Sequence, residues 1–413
     1  MTKHVTPFPK PPRHQPEDWR SKWQTTENGI PICNVHNALV ALREDEQLHD
    51  ILVYDQMSRT ILLTRPTPDI SGDTDQGDLP RPIRDTDITN IQEFLQVAGL
   101  TRLPKEIVHQ AVEKRSEERA YHPVQDYLIT LQWDGNRRLQ GFLNAYLGVS
   151  QSDYAKAIGT MFMIAMVARI YRPGCKADYM LVLEGPQGIG KSSACAILAG
   201  DWFSDNLPDL AKSDPVRIST HLRGKWLIEI AEMSSFSMAE TTTLKEFITQ
   251  SEERYMPKYA RKEVTEPRQC VFIGTTNQTA YLKDETGGRR FWPVLCGVID
   301  LPALARDRDQ LFAEAVFLYN NRVTWWPTAK FEAEHIKPEQ EKRFEADIWQ
   351  TMISDYLIGR REVTALELAT SALNMQAGII HTGTNKRICS ILKRLGWEAK
   401  HTKKGTIWFK GDR

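Results

Sequence analysis

Hydrophobic and polar positions change period several times along the chain. After a loose arm of about 30 residues that includes a proline-rich stretch, Pro7 to Pro16, the segment Asn37-Ala-Leu-Val-Ala-Leu-Arg carries a helical pattern and Ile51-Leu-Val-Tyr a strand pattern, which predicts a small α+β unit. Thr67 to Pro82 is acidic, contains Gly and Pro, and is expected to be a loop or linker; Asp87 to Glu118 then predicts two or three amphipathic helices. Asp126 to Arg169 is helical in pattern, punctuated by Trp133-Asp-Gly, and its apolar run Ala157 to Ala168 predicts a buried helix. Three continuous apolar runs follow, Tyr179-Met-Leu-Val-Leu, Trp226-Leu-Ile-Glu-Ile and Cys270-Val-Phe-Ile, each expected to be a buried strand of a parallel sheet. Lys330 to Glu345 reads as a helix or linker. Near the end, Thr364 to Leu373 and Asn385 to Gly396 predict helices, the second with Ile388, Ile391, Leu392 and Leu395 at helical spacing, and Trp397 to Phe409 predicts a hairpin turning near Lys404-Gly405. Helix, helix and hairpin together resemble a winged helix.

The expected class is α/β, in five regions. Residues 1–115 form an N-terminal α+β and helical region, 116–172 a helical collar, 173–330 a nucleotide-binding domain, 331–349 a linker helix and 350–413 the winged-helix-like module.

Composition narrows this only locally. Of 413 residues, 41% are apolar and 26% charged, which suits a globular protein of two to four domains. Lysine and arginine balance aspartate and glutamate at 53 each, so any surface for nucleic acid has to be local. One such place is Arg360 to Arg413, with 11 basic against 4 acidic residues. The six cysteines are scattered without a C-x-x-C pair, which supports neither a zinc ribbon nor a disulfide framework. His109 and His122 are isolated and read as structural. With no apolar signal core and no run long enough to span a bilayer, a cytoplasmic location without membrane contact is expected.

The chemistry is carried by Gly185-Pro186-Gln187-Gly188-Ile189-Gly190-Lys191-Ser192, which fits G-x-x-x-x-G-K-[ST] between a predicted strand and a helix opening at Ser193. Glycines there let backbone N–H groups close on phosphate oxygens; Lys191 would reach the β- and γ-phosphates and Ser192 would hold magnesium, so ATP and Mg²⁺ are the expected cofactors. Glu229 and Glu232 lie at the end of the second strand. Three apart, they point to opposite faces, and Glu232 is the expected magnesium ligand because ligands sit beyond the carboxyl ends of parallel strands; Glu229 is either catalytic or the partner of a nearby base. Asn277, ending the third strand, could orient an attacking water. Arg289 and Arg290 stand on a Gly-Gly turn and suit an arginine finger, which usually enters a neighbour's site and so implies a ring.

The order of Tyr121-His-Pro-Val-Gln-Asp-Tyr-Leu, Trp133-Asp-Gly, Arg172-Pro-Gly-Cys-Lys-Ala-Asp, the glycine loop, Trp226-Leu-Ile-Glu-Ile-Ala-Glu, Gly274-Thr-Thr-Asn and Gly287-Gly-Arg-Arg-Phe-Trp-Pro resembles the virulence-associated protein E family of phage and mobile genetic islands, over roughly residues 120 to 330. That family's core is similar to the superfamily-three helicases. The resemblance implies an AAA+ type P-loop ATPase, assembled as a hexamer, that threads single-stranded nucleic acid through a pore. It makes Lys191 and Ser192 the Walker A pair, Glu229 and Glu232 the Walker B region, Asn277 the sensor, and Arg289 or Arg290 the finger. It also puts the pore segment at Lys245 to Lys262, where Lys258-Tyr-Ala-Arg261-Lys262 interleaves cations with an aromatic ring. In the last module Lys386 and Arg387, with Lys393 and Arg394, share a helix face, and Lys403 and Lys404 would lie on the wing over duplex DNA. No primase signature precedes residue 120. The expected function is an ATP-dependent DNA helicase or translocase of a phage or integrated element, with single-stranded and duplex DNA and replication proteins as partners. The alternatives are an ATP-gated DNA-binding initiator without unwinding activity and, less well matched, a small-molecule kinase.

Overall fold

Asn34 sets the first long helix. In the computed structural model, which describes residues 18–68, 77–256, 262–282, 290–344, 348–402 and 405–410, its side chain accepts a hydrogen bond from the Asn37 N–H and caps α1, Val35–Glu44. β1, Leu52–Asp55, pairs antiparallel with β2, Thr60–Leu63; β3, Arg81–Pro82, and β4, Ala120–Tyr121, complete a sheet of order β3-β2-β1-β4. On it lie α2, Asp85–Val97, and α3, Lys105–Glu118, which bury Ile88, Ile91, Leu95 and Val108 in one core with Leu42, Leu52 and Leu63. The stretch expected as loop up to Pro82 therefore ends in a strand. Arg81 holds it there by donating to both carboxylate oxygens of Asp87, at 2.6 and 2.7 Å, with both side chains buried.

Next come α4, Pro123–Thr130, α5, Phe142–Leu147, and α6, Asp153–Tyr171. His122 is structural: Nδ1 accepts from the Gln125 N–H at the start of α4 and Nε2 meets Gln269 Oε1 at 3.0 Å. α6 is apolar on every side and buried along most of its length, as a core helix should be.

A five-stranded parallel sheet follows, made of β5, Met180–Glu184, β6, Phe203–Ser204, β7, Leu227–Ile230, β10, Val271–Thr276, and β11, Phe291–Leu295, in the order β11-β5-β10-β7-β6. Its connections carry α7, Lys191–Ala199, α8, Pro215–Leu222, and α9, Met238–Ile248, and between α9 and β10 an antiparallel hairpin of β8, Glu252–Tyr255, and β9, Val264–Pro267. α10, Leu301–Asn320, packs on α6 and α7. Trp226 fastens this layer, its indole stacked on Phe312 at 4.5 Å and its Nε1 donating to the Met166 carbonyl at 2.9 Å. α11, Ala329–Phe331, runs through a π-helical turn, Glu332–Ile336, into α12, Lys337–Glu341. All of these elements belong to one compact unit, Met1–Thr279 with Thr286–Glu341. The chain leaves β5 towards β6 on one side, while β11 is added on the other, so the carboxyl end of β5 opens at a topological switch point.

The second unit is Ala280–Glu285 with Lys342–Arg413. It contains α13, Ile348–Leu357, β12, Glu362–Thr364, α14, Ala365–Glu367, continued as a π-helical turn to Ala372, α15, Thr382–Arg394, and the hairpin of β13, Trp397–Thr402, and β14, Gly405–Lys410. Its strands run β12-β14-β13, all antiparallel, around Ile353, Leu368, Ile388, Leu392, Trp397 and Trp408. The N–H groups of Tyr281 and Leu282 both reach the Arg343 carbonyl at 3.0 Å. Among the described residues no helix is long and apolar enough to cross a membrane.

Candidate functional site

The glycine loop sits at the switch point, between the ends of the neighbouring strands. The Gly185 N–H donates to the Thr276 carbonyl at 3.2 Å and the Cys296 N–H to the Glu184 carbonyl at 2.9 Å, which tie the loop's root to β10 and to the end of β11. Gly185 (φ 143°) and Gly190 (φ 99°) adopt backbone that side-chain-bearing residues rarely take, and a Cβ on Gly185 would meet Ile189 Cδ1 at 2.8 Å. Gly190 is the N-cap of α7 and supplies no side chain, so the first N–H groups of the helix, at Lys191, Ser192 and Ser193, keep their donors for a ligand. Pro186, Gln187 and Gly188 are exposed; Ile189 is half-buried.

The Lys191 ammonium lies back on its own loop, donating to the carbonyls of Gly185 (2.6 Å) and Pro186 (2.8 Å). Partial burial lowers its pKa, against opposing pulls from Cys296 and Glu229. Burial pushes the Cys296 thiol up to about 12 and that of Cys195, one turn into α7, well above its ordinary value, so both stay protonated and chemically inert near neutral pH.

Glu229, not Glu232, meets the loop. The Ser192 hydroxyl donates to Glu229 Oε1 at 2.7 Å and the Thr275 hydroxyl donates to the same oxygen at 2.6 Å; Oε2 is buried with no hydrogen-bond partner among the described residues. Glu232, the expected magnesium ligand, makes no described contact with the glycine loop, for a reason that lies in the turn after β7. The strand ends at Ile230, and Glu232 takes a left-handed conformation (φ 52°) that leaves it exposed while Met233 turns inward over Gly274. A buried, doubly hydrogen-bonded carboxylate with a free oxygen beside a helix N-terminus can share a hard cation with a bound anion.

Asn277 stands exposed just past β10, whose Thr276 is paired with Glu184, so it flanks the same loop. Arg290 does not. β11 runs parallel to β5 with Phe291 opposite Met180, which puts Arg290 at the amino-terminal edge of the sheet. At about 3.3 Å per residue it is roughly 20 Å along the strands from Gly185, beyond the reach of one side chain. Arg289 lies outside the described residues.

The nucleic-acid candidates divide as well. Lys245, expected on a DNA-facing surface, is instead buried in α9 with its ammonium 5.5 Å from the Phe291 ring, because its helix packs that face into the core. Lys262 is exposed where the chain enters β9; Lys258 and Arg261 lie outside the described residues. Lys386 and Arg387 are exposed on α15, Arg387 with its guanidinium 3.8 Å from the Trp349 ring, and Lys403 and Lys404 lie outside the described residues.

Two features are absent from the sequence reading. Thr275 is a ligand of Glu229 because Ile273, its neighbour on the same strand face, is paired with Glu229 across the sheet, a register no single strand announces. A cavity of about 320 Å³ opens beside Glu229 between Asp205, Leu207, Asp209, Phe236, Glu240 and Leu244. It is built from the connection after β6 and from α9, which meet only in three dimensions.

A family model described as virulence-associated protein E-like domain matches residues 128–345. No curated protein matches the chain. Among solved structures, the A form apo structure of the NrS-1 C-terminal region is 13% identical, with 87% of this chain and 96% of that one covered, at a TM-score of 0.45. A second apo structure of that region is 14% identical over 84% and 85%, at 0.42.

Proposed function

The chain belongs to the virulence-associated protein E-like family, and from that premise we propose that it is an ATP- and magnesium-dependent DNA helicase or translocase, acting as a ring oligomer in replication of a phage or integrated element. The observation that carries this reading is the Ser192–Glu229–Thr275 cluster under the glycine loop. The N–H groups opening α7 and the Lys191 ammonium suit phosphate oxygens, and the orphan Oε2 of Glu229 beside Ser192 suits the hydration shell of magnesium. When bound, Mg-ATP supplies a transferable phosphoryl group whose charge the metal partly neutralises. Lys191 would leave the loop carbonyls to bind phosphate, Thr275 would fix the Glu229 carboxylate, and Asn277 would hold a water in line. In this reading the core is a P-loop ATPase of the AAA+ type. The exposed Lys386 and Arg387 on α15, followed by a β-hairpin, support a winged-helix docking surface for duplex DNA.

The decisive experiment measures ATP hydrolysis with and without single-stranded DNA beside strand displacement on a forked duplex. Stimulated turnover with displacement is expected. DNA-insensitive turnover would favour an initiator in which ATP gates binding, and no turnover at all would remove the ATPase reading.

Glu229→Gln keeps shape and both hydroxyl contacts but removes the charge. Turnover is expected to fall about 10²-fold, with nucleotide binding in the absence of magnesium unchanged. Glu232→Gln, on the surface, should change turnover less than about threefold. Equal losses in both would restore Glu232 to the site.

A further inference from the structure

At the amino-terminal edge of the parallel sheet, away from the glycine loop, a row of aromatic rings comes to the surface. Tyr171, closing α6, stacks on Tyr319 of α10 at 5.6 Å; Tyr319 lies 5.9 Å from Trp325, and Trp325 meets Trp326 edge-on at 4.8 Å. The row is rigid. Trp325 Nε1 donates to the Lys176 carbonyl at 2.7 Å, and the turn after α10 is closed by the N–H groups of Arg322 and Val323, which reach the carbonyls of Tyr319 and Leu318. Trp326, last in the row, is 47% exposed, unusual for an indole with no core to shield it.

Two arginines follow the helix ends that carry these rings. Arg172 follows Tyr171, and Arg322 follows α10 in a left-handed conformation (φ 61°) that favours glycine or asparagine. Both are exposed, and neither has a carboxylate partner among the described residues. Lys176 is already committed, its ammonium donating to the Thr249 carbonyl at 3.0 Å and lying 3.8 Å from Asp178. The Gly174 N–H donates to the Arg268 carbonyl at 2.8 Å, so this surface adjoins the base of the β8–β9 hairpin.

We infer that Trp326, backed by Trp325, Tyr319 and Tyr171, with Arg322 and Arg172 exposed at the two helix ends that carry the row, is a stacking platform for single-stranded nucleic acid beside that hairpin. A base lies on the open indole face while the guanidinium groups meet phosphates, an arrangement tolerant of sequence because every base has a π-face. This rests on the DNA-motor reading and adds a second strand contact to it. A protein interface would also use Trp and Arg, but two exposed cations with no carboxylate partner among the described residues, on the segments that carry an exposed indole, match a polyanion better.

The test uses the full chain and fluorescein-labelled oligo(dT) and oligo(U) of about 30 nucleotides, with anisotropy followed over a salt series. Trp326→Ala is expected to weaken binding about tenfold and Trp326→Phe less than about threefold. Arg172→Ala and Arg322→Ala should each lower the slope of log K against log salt by about 0.7, the loss of one phosphate contact on a single strand. The oligonucleotide whose binding suffers more identifies DNA or RNA as the source. If the wild type binds while Trp326→Ala binds equally well with an unchanged salt slope, the platform is wrong and the motor reading stands. If Trp326→Ala alters only the oligomeric state by light scattering, the surface is a protein contact and the inference fails. A wild type that binds neither oligonucleotide overturns both readings.

Discussion

Lys191→Ala is expected to abolish ATP hydrolysis, a loss of at least about 10³-fold, and to weaken nucleotide binding as well. The reason lies in where the ammonium rests. With hydrogen bonds to the Gly185 and Pro186 carbonyls it rests against the loop whose backbone would surround a phosphate. Alanine removes the only side-chain cation in the segment Gly185–Ser192 and leaves the backbone N–H groups of α7 to hold three phosphates alone. The fold should survive, since the side chain is only half-buried and Gly185 and Gly190 keep the loop's shape. Phosphate release and binding of a fluorescent ATP analogue, measured beside thermal unfolding, separate these effects. Turnover within a few-fold of wild type, in a folded variant, would mean that the ammonium does not serve the phosphates.

A comparable loss, about 10³-fold or more in turnover with nucleotide binding retained, is expected on replacing the arginine proposed as a finger, tested as Arg289→Ala and Arg290→Ala separately. The register of β11 against β5 makes the argument. Arg290 sits at the opposite edge of the sheet from the glycine loop of its own chain, so a nucleotide phosphate it served would have to be held by another copy. Mixing an arginine variant with Lys191→Ala should then restore part of the activity, because some interfaces pair an intact loop with an intact arginine. Lack of rescue in a proven oligomer would sink the arrangement in trans. A monomer that retains full turnover would do so more directly.

The glycine loop was legible because everything it needs is local: an apolar strand, three glycines, Lys191 and Ser192 within thirteen residues of chain. The same holds for α1, whose cap is Asn34, and for α6, whose apolar run has no polar face. Choosing between Glu229 and Glu232 was different. Alternation along β7 separates their faces, but which face meets Ser192 depends on how α7 packs over the sheet and on a left-handed turn at Glu232 that no glycine or asparagine marks. Lys245 misled for a related reason, since lysine in a helix suggests solvent, while here its long apolar stem lies in the core and its charge is placed against an aromatic face. The aromatic row at Tyr171, Tyr319, Trp325 and Trp326 comes from two helix ends about 150 residues apart and had no signal in either segment alone.

The small segment that includes Tyr281 and Leu282 has a practical consequence for anyone dissecting the protein. These side chains are 2% and 3% exposed, and they belong with Arg343 and Phe344 although the first unit's segment Thr286–Glu341 intervenes in the chain. A polypeptide stopped after Glu341 would not be a clean core. It would carry an orphan segment whose apolar side chains and backbone N–H groups had lost their cover, an invitation to stickiness that could be mistaken for a defect in the first unit itself. The last module is sewn into the chain at two places rather than hung from its end, and swapping it between relatives requires cutting both stitches.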